Sequence, residues 1–199
     1  MSNLSDLIGD ANLYGGVNYS FTYDRFCTAN EAIYFNQGFL QVPSGVYFSG
    51  DFTVTTWAYL KSYQSYSRIF DFGNGPNNDN VILAMMDKTS KINAFIFQAT
   101  IISFFETIFS IINLSQWYFL SFVLNGTTGY IYLNGNQIAS NQLLIPNNII
   151  RTNNFIGKSN WLNDSNADAI YDEIKIYQGA LTSTEIMNEY NISSNNGNI

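Results

Sequence analysis

The segment Lys158-Ser159-Asn160-Trp161-Leu162-Asn163-Asp164 sets an indole among amides and a carboxylate. Such a set suits a saccharide: the ring covers the C–H face of a pyranose, and groups like those of Asn160 and Asp164 exchange hydrogen bonds with its hydroxyls. The alternative for Trp161 is to fold back over a sheet edge. Tyr63 and Tyr66, after Lys61, form a second aromatic and polar loop. Asp79-Asn80 follows the run Gly73-Asn74-Gly75-Pro76-Asn77-Asn78. Its carboxylate and amide oxygens are hard donors of the kind calcium takes. Asp and Asn also cap turns, which is the competing reading of the pair.

Several chemistries are excluded. The chain has no histidine, so Ser-His and Cys-His catalysis and His-ligated zinc are ruled out. Its one cysteine, Cys27, allows no internal disulfide and is expected as a small buried hydrophobe. Glycoside hydrolysis needs two carboxylates converging on one bond. Asp172 and Glu173 are adjacent, so regular strand alternation sends them to opposite faces, and Glu106 stands alone. We therefore expect a protein that is not an enzyme. Eight basic residues against fifteen acidic ones give a net charge of −7, which argues against nucleic acid as a partner.

These side chains need a frame, and the patterning supplies one. Short alternating runs separated by Gly, Asn, Asp and Ser predict strands and turns throughout. Ala32–Phe35 and Phe39–Val42 flank an expected turn at Asn36-Gln37-Gly38. Asp51–Leu60 is apolar on both faces, as in a covered sheet. Strands are expected at Ser67–Phe72, Val81–Met86, Lys91–Ala99, Trp117–Leu124, Tyr130–Leu133, Gln137–Ser140, Phe155–Gly157 and Ala169–Tyr177. Asn134-Gly135 is the best two-residue hairpin turn, because both positions need positive φ. The apolar stretch 94–112 is interrupted by Gln98, Glu106 and others, so it reads as two strands around a turn and not as a membrane span. A helix is expected only at Ser183–Tyr190, with Thr182 or Ser183 and Glu185 placed for a capping box. The tail after Asn191 is expected to fray. The expectation is one all-β domain over residues 1–199, an antiparallel two-sheet sandwich or barrel with one short C-terminal helix.

Three segments carry a resemblance. AIYFNQGFLQVPSGVYFSGDFTVTTW (32–57) holds a strand, a turn and F-T-x-x-x-W; WYFLSFVLNGTTGYIYLNGNQI (117–138) holds paired strands and Y-x-N-G; the segment 155–186, ending in DEIKIYQGALTSTEI, holds a closing strand and A-L-T-x-x-E-I. In this order they resemble the laminin G-like (concanavalin A-like) jelly-roll families, which include the pentraxins. The resemblance implies a jelly-roll sandwich that binds and does not catalyse. By similarity to pentraxins, Asp79 and Asn80 would be calcium ligands. The family's other ligands would follow the strand at Ile156, where Lys158, Ser159, Asn160 and Trp161 stand instead, with Asp164 and Asp168 nearby. Related families hold a structural calcium on an Asp matching Asp172, and Asp10 is a distant candidate partner. The resemblance also implies a first strand that this chain has short or missing, and Gly where Cys27 stands.

The functional expectation is a secreted, extracellular lectin-like module that binds a glycan or glycoprotein, with calcium as a candidate cofactor. Its ligand residues would be Asn160, Trp161, Asp164, Asp79 and Asn80, and its metal residues Asp172, Asp10, Asp79 and Asn80. The alternative is a protein-interaction or assembly module.

Overall fold

The computed structural model describes residues 3–85, 89 and 91–195. Twelve strands precede one helix. They are β1 (Tyr14–Thr22), β2 (Ala32–Val42), β3 (Phe52–Leu60), β4 (Arg68–Gly73), β5 (Val81–Ala84), β6 (Asn93–Gln98), β7 (Ile101–Glu106), β8 (Trp117–Asn125), β9 (Thr128–Leu133), β10 (Asn136–Gln142), β11 (Asn153–Ile156) and β12 (Ala167–Tyr177). The helix, α1, spans Ser183–Asn195. The expected strand at Val81 stops at Ala84, and Met86 lies outside the described residues.

All the strands pair antiparallel into one folded sheet, in the order β10-β9-β8-β3-β12-β2-β11-β4-β5-β6-β7, with β1 also on β2. The fold turns on β2. Residues Ile33–Gly38 pair with β12, and residues Leu40–Val42 pair with β11. One strand thus serves two layers, β12-β3-β8-β9-β10 and β11-β4-β5-β6-β7. Their inward residues, including Phe52, Phe70, Phe72, Leu120 and Phe122, make one aromatic-rich core. β7 approaches β10 on the far side, so the sandwich is nearly closed. This is the expected all-β jelly-roll architecture.

Four local expectations are corrected. Asn36-Gln37-Gly38 is no turn: Gln37 takes φ 51° inside a continuous β2, and Asn18 of β1 takes φ 53°. The pairing absorbs both as bulges, which tighten twist without ending a strand. β1 covers the free side of β2, so that edge is not left open. Cys27 is exposed, at φ 64°, in a turn that the Asp24 carboxylate closes on the backbone of Phe26 and Thr28. A positive φ explains why glycine suits that position. Lastly, α1 does not fray after Asn191 but runs on to Asn195, with Ser193 buried.

The hairpin and the cap form as expected. Asn134 and Gly135 both have positive φ, at 49° and 79°. The Thr182 backbone amide donates to Glu185 Oε2 (2.7 Å), and the Glu185 amide donates to Thr182 Oγ1 (3.3 Å). Ile186 and Tyr190 dock α1 on the outer face of β3, β8 and β9, against Trp57, Phe119, Val123 and Tyr132.

At Gly38 a Cβ would stand 2.2 Å from the Asn18 carbonyl oxygen, a backbone atom that cannot swing aside. Gly38→Ala is expected to cost about 1–3 kcal/mol, read as a lower midpoint in urea denaturation.

Candidate functional site

The candidate site is built outward from β4. Phe72 and Phe70 point into the core, and Asp71 points to the outer face. Between Arg68 and Phe70 the register slips, and Ile69 and Phe70 both enter the core. That bulge turns Arg68 to the outer face as well. On β6 the core side takes Ala94 and Ile96, leaving Phe95 and Phe97 outward.

Asp71 has no solvent exposure because the 158–166 loop lies over it. Its Oδ1 accepts from Asn160 Nδ2 and Asn80 Nδ2, both at 2.8 Å, and its Oδ2 accepts from the Asn160 backbone amide at 2.8 Å. Burial pushes the Asp71 carboxyl above the ordinary range, against those bonds and the nearby Arg68 charge. The loop therefore begins on a buried anchor. Ser159 Oγ then receives the Trp161 amide (3.1 Å) and donates to Asp164 Oδ2 (2.7 Å). Asp164 Oδ2 also takes Arg68 Nη2 at 3.0 Å.

Arg68 is the centre of this arrangement. Its guanidinium lies 5.2 Å from the Tyr66 ring, 5.8 Å from Phe95 and 6.0 Å from Trp161. Nε and Nη1 are sealed from solvent and have no hydrogen-bond partner. Burial lowers the Arg68 pKa, while Asp71 and Asp164 oppose the shift. Trp161, half-buried, packs on Phe97 at 5.7 Å between centroids, and Phe95 stacks with Phe104, which is 53% exposed. The result is an aromatic face with a charged donor beneath it and one carboxylate beside it.

Not every expected site residue reaches this face. Trp161 and Asp164 do. Asn160 and Asn80 spend their amides on Asp71. Asp79 Oδ1 accepts from the Ala99 amide (2.8 Å) and Asn147 Nδ2 (2.7 Å), so it caps its loop. Its backbone carbonyl accepts from Arg151 Nε at 2.8 Å. Arg151 is fully buried and also donates to the Phe48 and Asn147 carbonyls; burial brings its pKa down to about 10. Asp168 accepts from the Tyr34 and Ser62 hydroxyls. Tyr66 joins Arg68, but Tyr63 turns away to the Ile112 carbonyl. Sequence reading missed Arg68, Phe95 and Phe97, whose outward placement depends on bulges and pairing.

Asp172 tells a related story. It is 3% exposed and bound by Arg25 Nη1 at 2.7 Å. Glu173 takes φ 49° in a second bulge, and its Oε1 meets Arg25 Nη2 at 2.5 Å. The two carboxylates thus converge on one cation, correcting the expectation that they diverge. Arg25 also donates to the Ser193 carbonyl, and Ser193 Oγ accepts from Trp57 Nε1 (3.0 Å). This clasp ties β12, β3 and the end of α1. Asp10 is exposed, and no group of three or more His, Cys, Asp or Glu gathers among the described residues. With a guanidinium already on Asp172, its surroundings do not fit calcium.

Two antiparallel layers that share β2 and close over one core define the class as a jelly-roll β-sandwich. The chain belongs to the concanavalin A-like lectin/glucanases superfamily, whose family model matches residues 36–187. No curated protein matches the sequence. Among solved structures, it is similar to domain 4 of AbnA, a GH43 extracellular arabinanase from Geobacillus stearothermophilus, in complex with arabinotriose. Identity is 18% and the TM-score 0.71, over 94% of this chain and 92% of that one. The binding domain of Paraclostridial Mosquitocidal Protein 1 is 19% identical with a TM-score of 0.71, over 98% of this chain and 50% of that domain. Trypanosoma rangeli sialidase is 17% identical with a TM-score of 0.66, over 93% of this chain and 29% of that one. These likenesses show the fold, which occurs in binding domains and within enzymes alike.

Two outcomes follow. Because the folded-state pKa of Asp71 is raised, the folded protein holds that proton more tightly than the unfolded chain. The stability of the native protein relative to Asp71→Asn should then fall as pH rises through and above the carboxylate range, measured by urea titrations at acid and neutral pH. Arg25→Ala removes the guanidinium that Asp172 and Glu173 share and should cost about 3 kcal/mol, read as a lower midpoint in urea, whereas a chelator should leave the native melting temperature unchanged.

Proposed function

We propose that this chain is a non-catalytic carbohydrate-binding module that takes a neutral sugar unit at Arg68, Trp161 and Asp164. The observation that carries this reading is the pair of buried, unpartnered nitrogens of Arg68 beneath the half-buried Trp161. An unmade bond to a buried charged group is expensive, and a ligand oxygen would complete it. Tyr66 and Trp161 must part to admit that oxygen. Asp164 offers the acceptor for a neighbouring hydroxyl, and the indole offers a face for C–H contact. Asp71 and Asp164 already offset the guanidinium charge, so an anionic ligand would meet two carboxylates, and a neutral ring avoids that repulsion. Asn160, Asp79 and Asn80 support the loops in this reading and do not touch the sugar. The arabinotriose complex of the similar arabinanase domain is consistent with it. We place the protein outside the cell, where such ligands occur. No helix among the described residues is long and apolar enough to cross a membrane.

One observation favours a second reading, a protein-interaction module. Edge strand β7 and the segment after it expose Ile101, Ile102, Phe104, Ile108 and Phe109. Such an apolar edge is a pairing surface.

A glycan array probed with the purified chain, in calcium and again in chelator, separates these. Saturable binding to related neutral glycans is expected, and it should survive chelation. Trp161→Ala should weaken it about tenfold, the scale of one lost ring contact, with an unchanged fold by circular dichroism. A blank array with folded protein would sink the carbohydrate reading in favour of the apolar edge.

A further inference from the structure

A groove beside α1 lies on the other outer face of the sandwich, away from Trp161. It opens where β8, β9 and β10 meet the first turn of the helix. We infer that it is a second saccharide site, selective for neutral sugar units and independent of the first.

The smaller part, about 240 Å³, is walled by Tyr130 and Tyr132 of β9, Asn125 at the end of β8, Gln137 of β10, and Thr182 and Ser183. An adjoining space of about 370 Å³ shares Gln137 and Ser183 and continues past Asn136, Thr184 and Asn188. Together they reach the roughly 300–1,000 Å³ of ordinary small-ligand sites. Neither lining includes an Asp, Glu, Lys or Arg, although the chain has fifteen acidic and eight basic residues. The one carboxylate bonded to a lining residue, Glu185, is held by the Thr182 amide and hydroxyl in the cap.

The available chemistry is amide, hydroxyl and aromatic. Tyr132 is only 4% exposed. Its hydroxyl has no hydrogen-bond partner among the described residues and is not one of the sealed polar atoms, so it is open to solvent in a residue that lines the groove. The half-buried Tyr130 ring lies 6.4 Å away and offers a stacking face. Gln137 and Asn125 are exposed amides, able to donate and accept, and the exposed Ser183 adds a hydroxyl. A small polyhydroxylated ring with one apolar face matches that set.

The walls are fixed before any ligand arrives. The Asn134-Gly135 turn fits tightly under α1, where a Cβ on Gly135 would lie 2.7 Å from Met187 Sδ. The capping box holds the first helical turn, and Ile186 anchors the helix to the sheet. Such preorganisation spares the ligand an ordering cost. Two sites on opposite faces would also let one chain engage a glycan-rich surface with avidity beyond either site alone.

Amide chemical-shift mapping on the isotope-labelled full chain tests this. The probes are neutral trisaccharides (arabinotriose, xylotriose, mannotriose, cellotriose, maltotriose) at millimolar concentration, with sialyllactose as the charged comparison. At least one neutral probe should shift the amides of Tyr130, Gln137 and Ser183, and should still do so in Trp161→Ala. Gln137→Ala changes an exposed side chain and should weaken that binding at least tenfold without disturbing the fold; Tyr130→Phe, which keeps the ring, should retain it. If no neutral probe moves the groove, or only sialyllactose does, the inference is overturned. Shifts confined to the Trp161 loop would overturn it while leaving the first site intact.

Discussion

One buried carboxylate organises the outer face of the β4–β7 layer. Asp71 is sealed from solvent and accepts from the side chains of two distant loops and from the backbone of one of them. Those donors offset the cost of burying it, and its oxygens are the acceptors that anchor the 158–166 loop. Trp161 and Asp164 follow directly from that anchor. So does the cover over Arg68, whose Nε and Nη1 are sealed without a hydrogen-bond partner. The asparagines that look like ligand contacts in the sequence act one layer deeper, holding the residues that face outward.

The opposite layer uses the same logic with the signs reversed. There a buried guanidinium, Arg25, gathers Asp172, Glu173 and the Ser193 carbonyl. It joins the loop after β1 to the closing strand and to the last turn of α1. A cation is therefore present where the resemblance suggests calcium, but it is covalently part of the chain. Arg151 supplies a third buried cation, satisfied entirely by carbonyl oxygens. A chain poor in charge spends three of its eight basic residues, Arg25, Arg68 and Arg151, on internal joints.

The two sugar-binding surfaces proposed above differ in kind. One depends on a bulge-turned arginine under an indole, and its cover must part. The other is an uncharged, preformed groove against a helix. That the superfamily's fold occurs both in binding domains and within enzymes fits this view, since function resides in sites placed on the outer faces and loops and not in the shared sandwich.

The sequence by itself determined the architecture. Alternating runs, the Asn134-Gly135 turn, the Thr182–Glu185 cap and the ordered motifs of the resemblance all report local conformation, and local conformation is written in nearby residues. Trp161 and Asp164 were also legible, as an indole among polar groups in a loop. Only the tertiary structure decided which polar groups are spent on internal partners and which are not. Strand alternation is a rule of period two, and a single extra residue inverts it. The slips at Ile69 and at Glu173 leave no mark in residue type, yet one turns Arg68 outward and the other brings two adjacent carboxylates onto Arg25. In the same way, Asp79, Asn80 and Asn160 have the chemistry of ligands, and what withdraws them is the arrival of partners from far along the chain. Hydrogen-bond donors and acceptors are interchangeable on paper, and burial with a specific partner is what assigns them.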